Sequence, residues 1–241
     1  MKAQLNLHKY LNLLYQNKSL KVMNFYIFHH NSKFFKNIHY ILKNSLIDLG
    51  YKETDYESSN LVIAIRFIPE NIKKDPKKVY ILYQVEQTKD NSVLESFYTT
   101  IKFDKIWGFD ISNNKEEYVP LGYHRFLELS KRIVTKTNFN KISLLGTATE
   151  RRNEILAKIK NKWTYLKEFN QIKKVELFRK STINLNVHSY REGEFTEWDR
   201  LSIFLANKCF FISEKMHLPL ERSVIFDLLN YDKTIELYLD D

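Results

Sequence analysis

Three stretches in the second half of the chain hold side chains that bind anions or accept hydroxyl protons. In the first, Leu144-Leu145-Gly146-Thr147-Ala148-Thr149-Glu150-Arg151-Arg152, an apolar run meets a glycine and then a helix-forming run. A strand that turns at a glycine into a helix start aims free N–H groups and the positive dipole end outward, which suits a phosphate. Arg151 and Arg152 fall in the first helical turn, where acidic residues are preferred. Two cations there cost helix stability unless an anion lies nearby; an ordinary surface arginine pair is the plainer explanation. In the second stretch, Ile183, Leu185 and Val187 share one strand face, and Asn184, Asn186 and His188 the other. A central parallel strand hides both faces, so a polar face near its carboxyl end marks the edge where open α/β sheets bind ligands. An edge strand with solvated asparagines would give the same pattern. The third stretch puts Glu197 and Arg200 near a helix start and Glu214 at the end of the following strand. A carboxylate there can accept hydrogen bonds from a ribose diol, or simply cap a helix.

The elements that must position these residues alternate along the chain. Val22–Phe28 is an aromatic and β-branched run that predicts a buried strand. Phe35, Ile38, Leu42, Leu46 and Leu49 recur at helical spacing, and Gly50 falls where a helix stops in a left-handed conformation. Leu61–Ile65, Val79–Tyr83, Lys105–Trp107 and Tyr118–Pro120 read as strands and 91–102 as a helix. The lysine-rich segment Asn71–Lys78 reads as a solvated loop. In the second half a strand at Ile142–Leu145 leads into a helix that Thr147 caps, with Glu150 completing a capping box. Ile155, Ile159, Trp163 and Leu166 form the apolar stripe of that helix. Further strands are expected at 174–178, 183–188, 209–213 and 222–225, and a helix across 198–208 on which Leu201, Phe204 and Leu205 pack. Strands alternating with helices predict parallel sheets covered on both faces. Two such series, joined near 122–140, predict two α/β domains, residues 1–124 and 125–241, with a cleft between them.

Composition narrows the functions open to the chain. The 241 residues are 44% hydrophobic and 28% charged, enough for one large core or two modest ones. No apolar run approaches the ~18 residues of a membrane span, and Asn, His, Gln and Lys interrupt the apolar residues at the N-terminus, unlike a secretory signal. One cysteine, Cys209, precludes an internal disulfide and a multi-cysteine zinc site. A cytoplasmic setting is the expectation. The five glycines are too scattered for a GxGxxG or GxxxxGK[ST] phosphate loop. No HExxH or other metal-ligand spacing occurs. A net charge of +9 and a pI near 9.3 favour an anionic partner, although AT-rich codon usage would also enrich Lys, Asn and Ile.

The order His188 … Glu197-x-x-Arg200 … Ile212-Ser213-Glu214, after the Gly146 turn and Arg151-Arg152, resembles the donor half of bacterial and viral GT-B glycosyltransferases. Upstream, Tyr83-Gln84-Val85-Glu86-Gln87, Ile106-Trp107-Gly108-Phe109-Asp110, Asn113-Asn114 and Val119-Pro120-Leu121-Gly122-Tyr123 are similar to the series that leads into that half. The likeness covers residues 79–241. It implies two Rossmann-like parallel-sheet domains facing across a cleft, an N-terminal acceptor side and a short C-terminal domain that holds a nucleotide sugar. Gly146 and Arg151 or Arg152 would face the diphosphate, Glu214 would bind the ribose, and His188, Glu197 and Arg200 would belong to the donor pocket. One departure is plain: Asn207 and Ala206 stand seven and eight residues before Glu214, so the first glutamate of an E-x7-E motif is missing. The chain also ends soon after the Ser223–Leu228 run, leaving little sequence for the closing helix usual in that fold.

Sugar transfer from a nucleoside diphosphate needs stabilisation of the leaving diphosphate and, for inversion, a base for the acceptor hydroxyl. The arginines can supply the first without metal or cofactor, and the absence of any D-x-D triplet disfavours a metal-dependent GT-A arrangement. His29, His30 and Glu86, at strand ends in the first half, are the candidate bases; the His29-His30 pair also fits a loop without a role. The implied partners are a UDP- or GDP-sugar and a glycan, lipid or protein acceptor, with an oligomer possible. Two other functions fit: a catalytically inactive GT-B-like module that binds glycan or protein, and a nucleic-acid binder. The last rests on charge alone, since no RNP-like, zinc-finger or helix-turn-helix signature accompanies it.

Overall fold

The structure, a computed structural model, describes residues 23–29, 35–66, 68–85, 101–108, 117–119, 121–122, 124–128, 142–159, 163–166, 181–189, 198–214 and 224–226. The chain divides into two compact units, residues 1–126 and 127–241. Each is an α/β unit built on a sheet whose described strand pairs are all parallel.

In the first unit the described strands are β1 (Asn24–His29), β2 (Lys52–Glu53), β3 (Leu61–Ile65), β4 (Val79–Gln84), β5 (Lys105–Gly108) and β6 (Glu117–Tyr118), in the order β2-β1-β3-β4-β5-β6. Helix α1 (Lys36–Asp48) buries Ile38, Ile41, Leu42 and Leu46. Phe25, Ile27 and His29 share one face of β1, and His29 stacks on His39 of α1, so the helix covers that face. Val62, Ala64, Tyr80 and Leu82 form a core on the opposite face. The helix stops by a Schellman closure: the Gly50 N–H donates to Ile47 O at 2.9 Å and the Tyr51 N–H to Leu46 O at 3.0 Å, with Gly50 at φ +87°. The lysine-rich loop differs from expectation at its last residue. Lys78 is buried; its Nζ donates to the carbonyls of Tyr56, Glu57 (2.8 Å) and Ser59 (2.9 Å) and lies over the Tyr56 ring.

The second unit has β7 (Ile142–Leu145), α2 (Glu150–Leu156), β8 (Trp163–Leu166), β9 (Ile183–Asn186), α3 (Trp198–Ala206), β10 (Phe211–Glu214) and β11 (Val224–Phe226). Its sheet order is β11-β10-β9-β7-β8. The chain steps from β7 outward to β8 and then crosses to β9 on the other side, so the strand order reverses between β7 and β9. Beside such a switch point, outside the carboxyl strand ends, open α/β sheets bind ligands. Ile142, Leu144, Ile183, Leu185, Val187 and Ile212 pack with Ile155, Leu156 and Ile159 in one buried core.

Three local expectations are corrected here. The expected stripe Ile155–Leu166 is not one helix: α2 ends at Leu156, and Trp163–Leu166 is a strand paired in register with Ile142–Leu145. The cap of α2 is Thr149, whose Oγ1 accepts the Arg152 N–H at 3.3 Å, in place of Thr147. In α3, Leu201, Ile203 and Phe204 are buried while Leu205 is exposed, and the helix ends at Ala206, closed by Lys208 at φ +55°. The expected helix at 91–102 lies almost wholly, and the strand at 174–178 wholly, outside the described residues.

Candidate functional site

The polar face of β9 is the floor of the candidate site. β9 lies between β7 and β10, so it is a central strand and the solvated-edge alternative is excluded. Residues 183–188 are all buried, and the asparagines are held by partners instead of water. Asn184 Oδ1 accepts from Ser143 Oγ at 2.9 Å, and its Nδ2 donates to Phe210 O at 3.0 Å. Asn186 Nδ2 donates to Ser213 Oγ at 2.8 Å, while its Oδ1 accepts from Arg200 Nη1 at 2.5 Å. Buried amides without such partners would each cost about 1–3 kcal/mol. The ladder therefore ties β7, β9, β10 and α3 together directly below the carboxyl edge.

At that edge three segments meet. Arg151, in the first turn of α2, forms a two-pronged ion pair with Glu214 at the end of β10: Nη1 donates to Oε2 at 3.0 Å and Nη2 donates to Oε1. Arg151 Nη1 also donates to His188 O at 2.8 Å, and the His188 N–H donates to Glu214 Oε2 at 2.5 Å. The cluster thus closes on itself through β9. The two arginines of the first helical turn do find an anion and acceptors nearby, and the protein supplies them. Arg152 points inward, only 2% exposed; its Nε donates to Val187 O and its Nη1 to Thr147 O, both at 2.9 Å.

Gly146 makes room for that inward arginine. Its φ of +148° lies in a region that residues with a side chain rarely adopt. A Cβ added there would come within 2.6 Å of Arg152 Nη1. Gly146, Arg151, Arg152, His188, Arg200 and Glu214 are therefore all set around the carboxyl ends of β7, β9 and β10. Glu197 lies outside the described residues. Sequence reasoning did not single out Thr149 or Ser213. Thr149 carried a local signal, since it precedes Glu150 by one residue, whereas Ser213 becomes relevant only through β9–β10 pairing.

In the first unit, His29 is exposed at the end of β1, its ring 4.0 Å from that of His39 between centroids. Burial, with His29 and Lys43 close by, pushes the His39 pKa down to about 4 against a smaller opposing pull from Glu53. His39 is thus a neutral ring at neutral pH. His30 and Glu86 lie outside the described residues. Among the described residues no group of three or more His, Cys, Asp or Glu could hold a metal ion, and no helix is long and apolar enough to cross a membrane.

Fold and site together define an α/β protein of two parallel-sheet units, compatible with Rossmann-like domains, with a charged cluster at the switch point of the second. No protein-family model, curated protein or solved structure matches the chain.

Proposed function

We propose that this protein is a metal-independent glycosyltransferase of the GT-B type, which moves a sugar from a nucleoside diphosphate to an acceptor hydroxyl, with its donor site on the second unit. One observation carries the reading: Arg151, His188 and Glu214, contributed by three separate segments, meet beside the strand-order reversal of a parallel sheet. A guanidinium there matches diphosphate oxygens, and a carboxylate matches a ribose diol. In this reading Arg151 takes the diphosphate and Glu214 the ribose, His188 and Arg200 border the pocket, and Gly146 with Arg152 keeps the turn in shape. In this reading the charge that develops on the leaving diphosphate is met by the Arg151 guanidinium once it exchanges Glu214 for the ligand. His29, exposed at a strand end of the first unit, is the base candidate among the described residues.

Thermal unfolding with UDP, GDP and their sugar conjugates tests the proposal. A ligand at a hundredfold excess over its Kd stabilises the native state by about 2.7 kcal/mol. A rise in Tm with at least one nucleotide, followed by donor hydrolysis or transfer, is the expected result. No rise with any of them at millimolar concentration refutes it. The mutual engagement of Arg151 and Glu214 also favours a second reading, a GT-B-like module that no longer turns over; nucleotide binding without hydrolysis or transfer would distinguish it.

A further inference from the structure

Lys78 is a buried cation that the candidate site does not employ. Its neighbours Lys73, Lys74 and Lys77 are exposed, as lysines ordinarily are, whereas Lys78 is 8% exposed. A lysine ammonium has three N–H donors and no acceptor. Three backbone carbonyls of one short turn take them: Tyr56 O, Glu57 O at 2.8 Å and Ser59 O at 2.9 Å. The face of the Tyr56 ring, centred 4.6 Å from Nζ, adds its attraction for positive charge. Local bonds shape the turn. Asp55 Oδ1 accepts the Ser58 N–H at 2.7 Å, and Ser59 Oγ donates to Tyr56 O at 2.8 Å. The segment then joins the start of β4, where the Val79 N–H donates to Asn60 O at 2.9 Å. Carbonyls of an exposed turn commonly bond to water; here three of them converge on one nitrogen atom.

We propose that residues 56–59 form a binding cage for an ammonium ion, which the chain fills with its own tethered ligand, and that Lys78 is thereby the latch of the β2–β3 connection. The geometry selects the ligand class. Converging carbonyls require a cation, and three of them beside a ring match the donors of one tetrahedral nitrogen. A quaternary ammonium has the charge without the donors, and would leave the carbonyls unanswered. Removal of the Lys78 side chain takes away three ties between residues 54–60 and the start of β4, and strands carbonyls that need a partner. The inference is independent of the donor-site reading, because the cage belongs to the first unit and that site to the second.

Lys78→Ala in the full chain empties the cage and tests the inference. Amide hydrogen exchange in peptides covering residues 54–61 should quicken about ten- to a hundredfold, while peptides covering β7 and β9 keep their rates. Methylammonium chloride should restore slow exchange to the variant with a saturable dependence on concentration. Sodium chloride and tetramethylammonium chloride at the same ionic strength should not. The unmodified protein, its cage filled, should respond alike to all three salts. Unchanged exchange in the variant overturns the inference, and so does equal recovery with the three salts. Where Lys78→Ala does not fold, the unmodified protein decides. Its Lys78 ammonium protons, followed by nuclear magnetic resonance, should exchange with solvent at least about tenfold more slowly than those of Lys73 and Lys77. Equal rates at the three lysines overturn the latch.

Discussion

The most stringent prediction concerns Gly146→Ala, because two separate costs can be worked from the geometry. An alanine at φ +148° is held in a region that is essentially glycine's own, which costs about 1–3 kcal/mol. The new Cβ would also stand 2.6 Å from Arg152 Nη1, closer than a non-bonded contact permits. The guanidinium cannot move off freely, since it is buried and its two 2.9 Å bonds hold the Val187 and Thr147 carbonyls. Losing one of those bonds adds about 1–3 kcal/mol. The sum is about 2–6 kcal/mol of destabilisation confined to the second unit. Urea unfolding followed by hydrogen exchange in peptides covering β7 and β9 would measure it there, apart from the first unit. Arg152→Met separates the terms: in that background Gly146→Ala should cost about 1–3 kcal/mol, leaving a coupling of about 2 kcal/mol in the double-mutant cycle. A cost below about 1 kcal/mol, or an equal cost in both backgrounds, would refute the view that this glycine exists to admit the arginine.

Two further outcomes follow from the charged groups. Arg151→Met strands the buried Glu214 carboxylate and should destabilise the second unit by about 3 kcal/mol, whereas the double replacement R151M/E214M regains much of that loss; denaturant titration of the three variants checks it, and a double variant no better than R151M contradicts it. His39 should make the first unit less stable as pH falls from about 6.5 toward about 4. The unfolded chain takes up the proton first, at the ordinary histidine value, while the folded ring resists it down to about 4. Because the ring is only partly buried, solvent screening limits the loss to about 1–2 kcal/mol. H39Q should flatten that part of the urea-midpoint profile between pH 7 and 4.5, and an identical slope in both proteins would rule the mechanism out.

Much of the scaffold was legible because the signal that creates it is local. Leu61–Ile65 is apolar at every position because β3 is covered on both faces, and a continuous run is what such a strand must present. Gly50 was readable as a helix stop because the left-handed residue of a Schellman closure is a property of one position and its immediate neighbours. Where two local explanations competed, the chain alone did not choose. Trp163 and Leu166 continue the spacing of Ile155 and Ile159 and so fit a helix, yet hydrogen bonding to β7 claims them for the sheet. Asn184 and Asn186 fit a wet edge strand as well as a buried one until β7 and β10 enclosed them.

The residue types at the candidate site were likewise visible, but their engagement was not. Arg151 and Glu214 are 63 positions apart, and nothing in either neighbourhood states that the partner of one is the other. His39 drew no notice within its helix and gains meaning from its burial and from the ring of His29 stacked on it. Sequence by itself determined that Leu61–Ile65 and Ile142–Leu145 extend, that a helix stops at Gly50, and which side chains carry charge, since backbone sterics and side-chain periodicity act over a few residues. Tertiary structure alone decided which charges are spent on each other and which strand is buried, because hydrogen bonds and ion pairs between strands depend on register across segments that local preferences do not align.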